Sequence, residues 1–487
     1  MLFNSWSFLV FLPIVFGLHY VRRRPFWQAG VLILASLVFY AWGTDSQGHP
    51  HWQLLPLLFA STGLNGLAAQ GLLSPKSTPA RRRLLLGLAL TFNLGALLCF
   101  KYAGLFARLL LPASLYEQWG RPIAEIPLPI GISFYTFQGI SLVMEAWRAR
   151  PAGIYGLSYP QTGSEVVWFH TRVWLFKTFF PQLVAGPIVK AREFLHQIGP
   201  KRFSHIDAGG ACKKLALGFF LKMVVADNLR EATASLHYPE LTFLPRINLL
   251  ALLYAFSFQI LADFAGYSLI AQGLAKLFGY ELPINFNFPY LSRSLTEFWR
   301  RWHISLSTWL REYLYFPLGG NRKGELRTYV NLFMVMFLGG LWHGAAWCFA
   351  LWGTAHGIGL AIERWFGRKD RPGSDGWNWK GVFQAIVVFH VVSFLWLLFK
   401  FPDIGQVRAF LRELVVHSGK PQPQALYVIA VFSLPVILWH GWALLARQRA
   451  TWPQQIRDRI DTGAAAFLAF LTLVNAGASG EFIYFQF

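Results

Sequence analysis

The stretch FLGGLWHGAAWCF, residues 337–349, sets one ionisable ring, His343, inside a run that is otherwise apolar or small. Similar apolar runs, close to the length that crosses the hydrocarbon core of a bilayer, recur from one end of the 487-residue chain to the other. The composition is 55% hydrophobic and 17% aromatic, and the charged fraction of 14% lies well below the roughly 25% of soluble domains. These proportions point to a polytopic membrane protein. The runs lack the strict alternation of barrel strands, and a spanning segment must satisfy its own backbone hydrogen bonds, so an all-α architecture is expected.

Working outward from that stretch, spans are expected at 2–20, 27–43, 52–73, 84–111, 129–147, 247–278, 379–399, 425–446 and 463–479, with two short or re-entrant helices within 329–366. The count is about 11. Residues 2–20 read as a retained helix rather than a signal peptide, because the charges follow the run instead of preceding it. Residues 166–186 carry Arg172 and Lys177 and read as a tilted or interfacial helix. Residues 215–226 are short for a span unless Lys213, Lys214 and Lys222 snorkel. With no internal repeat, residues 1–487 are treated as one membrane-embedded domain with a core at about 129–366.

The net charge is +21, and the basic residues gather between apolar runs: Arg22–Arg24, Arg81–Arg83, Lys213–Lys214, Arg322–Lys323 and Arg368–Lys369. This is the positive-inside pattern of a protein facing anionic headgroups, so the partner of the basic charge is membrane lipid and not nucleic acid. Cys99, Cys212 and Cys348 lie far apart in apolar contexts and offer no disulfide framework.

Two places could carry chemistry. Residues 296–321, TEFWRRWHISLSTWLREYLYFPLGGN, combine Trp299, Trp302, Trp309, Arg300, Arg301, Arg311, Glu297, Glu312 and His303, with Arg293 just before. On a helix Glu297 and Arg301 can pair. The residues admit an amphipathic interfacial helix anchored by Trp and Arg, or the rim of a reaction chamber with arginines for phosphates and His303 for proton transfer. For His343, an ionisable group at membrane depth faces an interior or a cavity, and desolvation favours its neutral ring, which can accept a proton. A histidine satisfied within a helix interface is the other reading. Gly340-x-x-x-Gly344 would let a second backbone approach. His19, His356, His390 and His440 read as packing residues, and His49, His51, His170, His196, His205, His237 and His417 as loop or interfacial ones. No His and carboxylate pair shows metal-ligand spacing, and no Walker, GxGxxG or GxSxG motif occurs.

Several blocks resemble the membrane-bound O-acyltransferase (MBOAT) family, most closely its bacterial alginate O-acetyltransferase branch. They are PIGISFYTFQGIS at 129–141, FFPQLVAGPIVK at 179–190, DFAGYS at 263–268, the run 285–321, GGLWHGAAWCFALWGTAHG at 339–357 and FIYFQF at 482–487. The resemblance implies a helical fold around a central tunnel, with His343 matching the family's W-H-G histidine and His303 its R-W-H histidine as the catalytic pair. It implies acetyl-CoA as a donor substrate from the cytoplasm, with no permanently bound cofactor. Candidate donor-binding residues are Trp299, Arg300, Arg301, Trp302, Arg311, Asp263 and Trp342. An exported partner with a hydrolase-like site and a polysaccharide acceptor, alginate first and cellulose or peptidoglycan next, complete the implication, as does a multi-pass place in the inner membrane. Glu145 and Glu312 stand where this branch usually has Asp, and Leu269 where it has a charge; the acceptor is what these departures put in doubt. A transporter or a scaffold subunit of an export complex is the reading of another class. The scaffold leaves the Trp/Arg/His block unexplained, and the repeated halves and matching broken helices of many transporters are not seen.

Overall fold

The computed structural model describes residues 1–43, 50–149, 153–366, 378–445, 449–478, 480 and 482. His49, Arg150, Arg368, Lys369 and five of the six residues 482–487 lie outside this set. Among the described residues the chain is helical, and the β pairing is an isolated bridge between Ile154 and Leu157. The chain packs as two compact units, residues 1–211 with 270–283, and residues 212–269 with 284–487.

The first unit contains α1 (Trp6–Val21), α2 (Pro25–Ala41), α3 (Leu55–Leu73), α4 (Pro79–Leu97), α5 (Ile132–Arg148) and α6 (Gly163–Thr178). Their starts are written locally. Ser5, Thr78 and Thr162 each accept a backbone N–H of the first turn, and Pro25 and Pro79 stand where a missing N–H costs nothing. Helix α5 is the centre, with 13 of its 17 residues buried. Beside it the amides of Asn65 and Asn93 exchange hydrogen bonds of 3.2 and 2.8 Å, at a place where a Cβ on Gly139 would stand 2.6 Å from the Asn93 oxygen. The interfacial helix expected at 166–186 ends at Thr178 and is followed by the short turn Phe180–Leu183, because Pro181 cannot continue α6.

Helix α7 (Ala208–Phe219) runs into a π-helical stretch, Phe220–Ala226, and then Asp227–Thr233. Helix α8 (Arg246–Leu277) follows, then α9 (Leu295–Arg301), α10 (Ile304–Leu310), α11 (Glu325–His343), α12 (Trp347–Trp365), α13 (Trp379–Leu395), α14 (Ile404–Val416), α15 (Pro423–Leu444) and α16 (Gln454–Asn475). Within the second unit Lys222 does not snorkel. It is buried, and its ammonium pairs with Asp227 at 2.8 Å and Asp263 at 2.9 Å. The π-helical turn carries Lys222 inward. Gly266 allows the approach, since a Cβ there would stand 2.8 Å from the Gly218 carbonyl.

Helices α11 and α12 form the tightest pair of this unit. A Cβ on Gly353 would fall 2.2 Å from the Met336 carbonyl, and one on Gly340 would fall 2.3 Å from that of Phe349. Gly340 therefore meets another backbone as expected. Gly344 does not share that role: it is extended (φ −169°), beyond the end of α11, against the Phe349 ring.

Among the described residues four helical segments are long and apolar enough to cross a bilayer: Pro79–Leu110, Arg246–Leu277, Trp379–Lys400 and Pro423–Leu444. Trp6–Val21 and Pro25–Ala41 are apolar but shorter. Helix length and composition thus give a multi-pass membrane protein without fixing the expected 11 spans. Helices α11 and α12, 19 residues each, stand where two short or re-entrant helices are expected within 329–366, with α11 beginning earlier, at Glu325.

Candidate active site

His303 sits in the break between α9 and α10. Helix α9 starts at Ser294, whose hydroxyl accepts the Glu297 N–H at 2.9 Å. Glu363 of α12 accepts from the Leu295 and Thr296 N–H groups at 2.6 and 2.9 Å, an anion set on the positive end of the helix. The expected Glu297–Arg301 pair forms, at 2.7 Å. After Arg301 the chain turns sharply, and His303 adopts a left-handed conformation (φ 42°, ψ 54°) before α10 begins. The segment 285–287 holds this turn by its backbone. Asn287 N–H donates to the Arg301 carbonyl and Ile304 N–H to the Asn285 carbonyl, both at 2.9 Å.

The turn carries His303 to full burial. Its ring lies 4.6 Å edge-on from Phe264 and its Nδ1 is 3.0 Å from Asn285 Oδ1. Burial pushes this imidazole down to about 3, so the ring is neutral at ordinary pH.

His343 is the last residue of α11 and is also buried. Aromatic rings surround it: Trp342 at 5.0 Å, Trp352 at 5.2 Å and Phe399 at 5.2 Å between centroids. It borders a cavity of about 130 Å³ whose wall includes Trp299, Leu306, Ser307, Leu310, Met336, Gly339 and Trp352. Helix α10, which His303 initiates, supplies three of those residues. Trp342 touches both histidines, its ring 6.1 Å from His303.

The other candidate residues divide. Trp299 lines the cavity and Trp342 links the two rings. Trp302 and Trp309 are buried, so neither is a headgroup anchor. Trp302 stacks on Phe298 at 5.5 Å and lies 4.9 Å from Trp396, because the break after Arg301 turns it into the aromatic core instead of outward. Arg300 and Arg311 are exposed, and Arg301 is tied to Glu297. Asp263 is not in the cavity wall, and Lys222 holds its carboxylate. His390 and His440 hydrogen-bond to the carbonyls four residues before them, at 2.7 and 2.8 Å, as packing residues do. Among the described residues no cluster of three His, Cys, Asp or Glu approaches metal-ligand spacing. The sequence reading missed Asn285, Glu363 and Trp352. The first lies within the 285–321 block, but its partner is 18 residues away and no local periodicity marks it.

Two buried histidines, one beside a small apolar cavity, suit proton transfer in a dry site. The family model for membrane-bound O-acyltransferases matches residues 132–399, a stretch that contains both rings. The chain belongs to this family. It is an O-acyltransferase of the membrane. Among its relatives is a probable alginate O-acetylase of Pseudomonas putida, 37% identical over 521 aligned positions that cover all of both chains. A peptidoglycan O-acetyltransferase of Helicobacter pylori is 33% identical over 86% of this chain and 80% of its own. A teichoic acid D-alanyltransferase of Bacillus subtilis is 27% identical over 62% of this acyltransferase and 78% of its own length.

Proposed function

We propose that this acyltransferase takes an acetyl group from acetyl-CoA on the cytoplasmic side of the inner membrane and delivers it for O-acetylation of an exported polysaccharide, alginate first. The observation that carries the reading is buried His343 at the wall of the small apolar cavity, a space suited to an acetyl group. The attacking hydroxyl oxygen bonds to the thioester carbonyl carbon while its proton passes to His343. The C–S bond then breaks, and the leaving thiolate recovers that proton from the imidazolium. His303 holds the hydroxyl or supports the oxyanion. Exposed Arg300 and Arg311 are the available cations for the phosphates of the donor.

The same reading includes about 11 spans, a tunnel reached from both faces, and relay of the acetyl group through an exported partner with its own hydrolase-like site. Full-length similarity to a probable alginate O-acetylase supports alginate; the peptidoglycan O-acetyltransferase among the relatives makes peptidoglycan the next acceptor. The test is the ester-acetate content of exported polysaccharides in a deletion strain carrying the wild-type gene or an empty vector. Restoration by the wild type names the polymer. Unchanged acetate in the deletion strain rejects the reading.

A further inference from the structure

We propose that Asn285 is a positioning residue that fixes the tautomer of His303 with the ring proton on Nδ1, so that Nε2 carries a lone pair and cannot donate to the oxyanion. The inference rests on His303 belonging to the acyl-transfer site.

The amide orientation follows from its neighbours. Three groups converge on Asn285 Oδ1: His303 Nδ1 at 3.0 Å, the Ser305 hydroxyl at 2.8 Å and the Ser305 backbone N–H at 3.4 Å. A backbone N–H can only donate, so the atom it meets is the amide oxygen and not the NH₂. The NH₂ end points the other way and donates to Ser268 Oγ at 3.1 Å. His303 Nδ1 therefore faces an acceptor and carries the ring proton. The Ser305 hydroxyl is 3.5 Å from His303 Nδ1, farther than from the amide oxygen, and does not compete for the role.

A neutral ring has one N–H, and Asn285 uses it. Nε2 is left as an acceptor. Ser268 comes from α8 and Asn285 from the segment before α9, so the pillar Ser268–Asn285–His303 joins three separate parts of the second unit. All four polar residues, Ser268, Asn285, His303 and Ser305, are buried. Asn285 also holds the left-handed turn through its own carbonyl, a bond that side-chain substitution leaves in place. An amide holds the proton without adding the negative charge that would favour an imidazolium, so the ring stays neutral.

The test measures acetyl transfer from acetyl-CoA by the full-length protein in membranes, across pH, for wild type, His303→Ala, Asn285→Ala, Asn285→Asp and Ser268→Ala, with membrane abundance checked in each. Asn285→Ala should lower kcat about 10- to 100-fold, the usual effect of removing a partner that orients a working histidine, with KM for acetyl-CoA unchanged. Asn285→Asp keeps the acceptor but adds a carboxylate, which favours the protonated ring. It should rescue activity at alkaline pH and move the acidic limb of the profile to higher pH. Ser268→Ala leaves Asn285 in place and only releases its amide, so it should lower kcat by a few-fold and remains informative if an Asn285 variant fails to reach the membrane. An inactive His303→Ala beside wild-type rates and unshifted profiles in the Asn285 and Ser268 variants overturns the proposal. A fully active His303→Ala overturns instead the placement of His303 in the site.

Discussion

The two histidines of the second unit are the same ring in two kinds of mount. His303 stands on a polar pillar and at a left-handed turn; His343 ends an ordinary helix and is walled by Trp342, Trp352 and Phe399. A polar mount decides which nitrogen carries the proton. An aromatic wall decides how dry the ring is and what can lie beside it. Both rings are buried, but His343 borders the cavity and His303 does not, and a base that takes a proton in the transition state must first lie within reach of it.

Removing the ring at the cavity wall is therefore the largest expected effect. His343→Ala should lower acetyl transfer by about 10² to 10⁴, and His303→Ala by less, with both proteins present in the membrane at wild-type levels. The measurement is the initial rate with acetyl-CoA. If the two losses were equal, the division into an orienting and a proton-taking ring would fail. If His343→Ala were active, the site itself would be misplaced.

A smaller effect separates the mounts by substrate choice. Leu310 and Met336 line the cavity beside His343, and a Cβ on Gly339 would stand 3.2 Å from a Leu310 methyl, so this wall is close-packed. Leu310→Ala enlarges the space and should raise the rate with propionyl-CoA relative to acetyl-CoA by about 10-fold, within the range set by one methylene in an apolar pocket. Asn285→Ala should leave that ratio unchanged while lowering both rates. A ratio that moves in both variants would show that acyl choice does not belong to the His343 side.

The sequence makes some of this plain and hides the rest for physical reasons. The Glu297–Arg301 pair, the two helices around His343 and the burial of His343 follow from local spacing and from the cost of an ionisable group at membrane depth. The left-handed turn at His303 does not, because its support comes from Asn285, 18 residues earlier in the chain. Trp302 was legible as an aromatic in an amphipathic block, but its direction depends on that same turn. Lys222 looks from local sequence like a lysine reaching for the surface; Asp227, five residues on, and the long-range partner Asp263, brought near by Gly266, hold it inside. Local periodicity reads contacts three or four residues apart. The mount of His303 is made from contacts far longer than that.

The smallest effect tests whether α9 or Asn285 positions His303. Glu297 and Arg301 retain 23% and 30% side-chain exposure, and Glu297 also accepts the Arg293 N–H at 2.8 Å. An ion pair this open to its surroundings contributes about 1 kcal/mol or less. Glu297→Gln keeps an acceptor oxygen and the helix start, so it should shift thermal stability by no more than that and leave both kcat and the pH profile at wild type. The pair ends one residue before the break, and the turn itself is held from 285–287. A Glu297→Gln variant that reproduced the pH shift of Asn285→Asp would place the control of His303 in α9, and the polar pillar would then be support for the turn and not the source of the ring's tautomer.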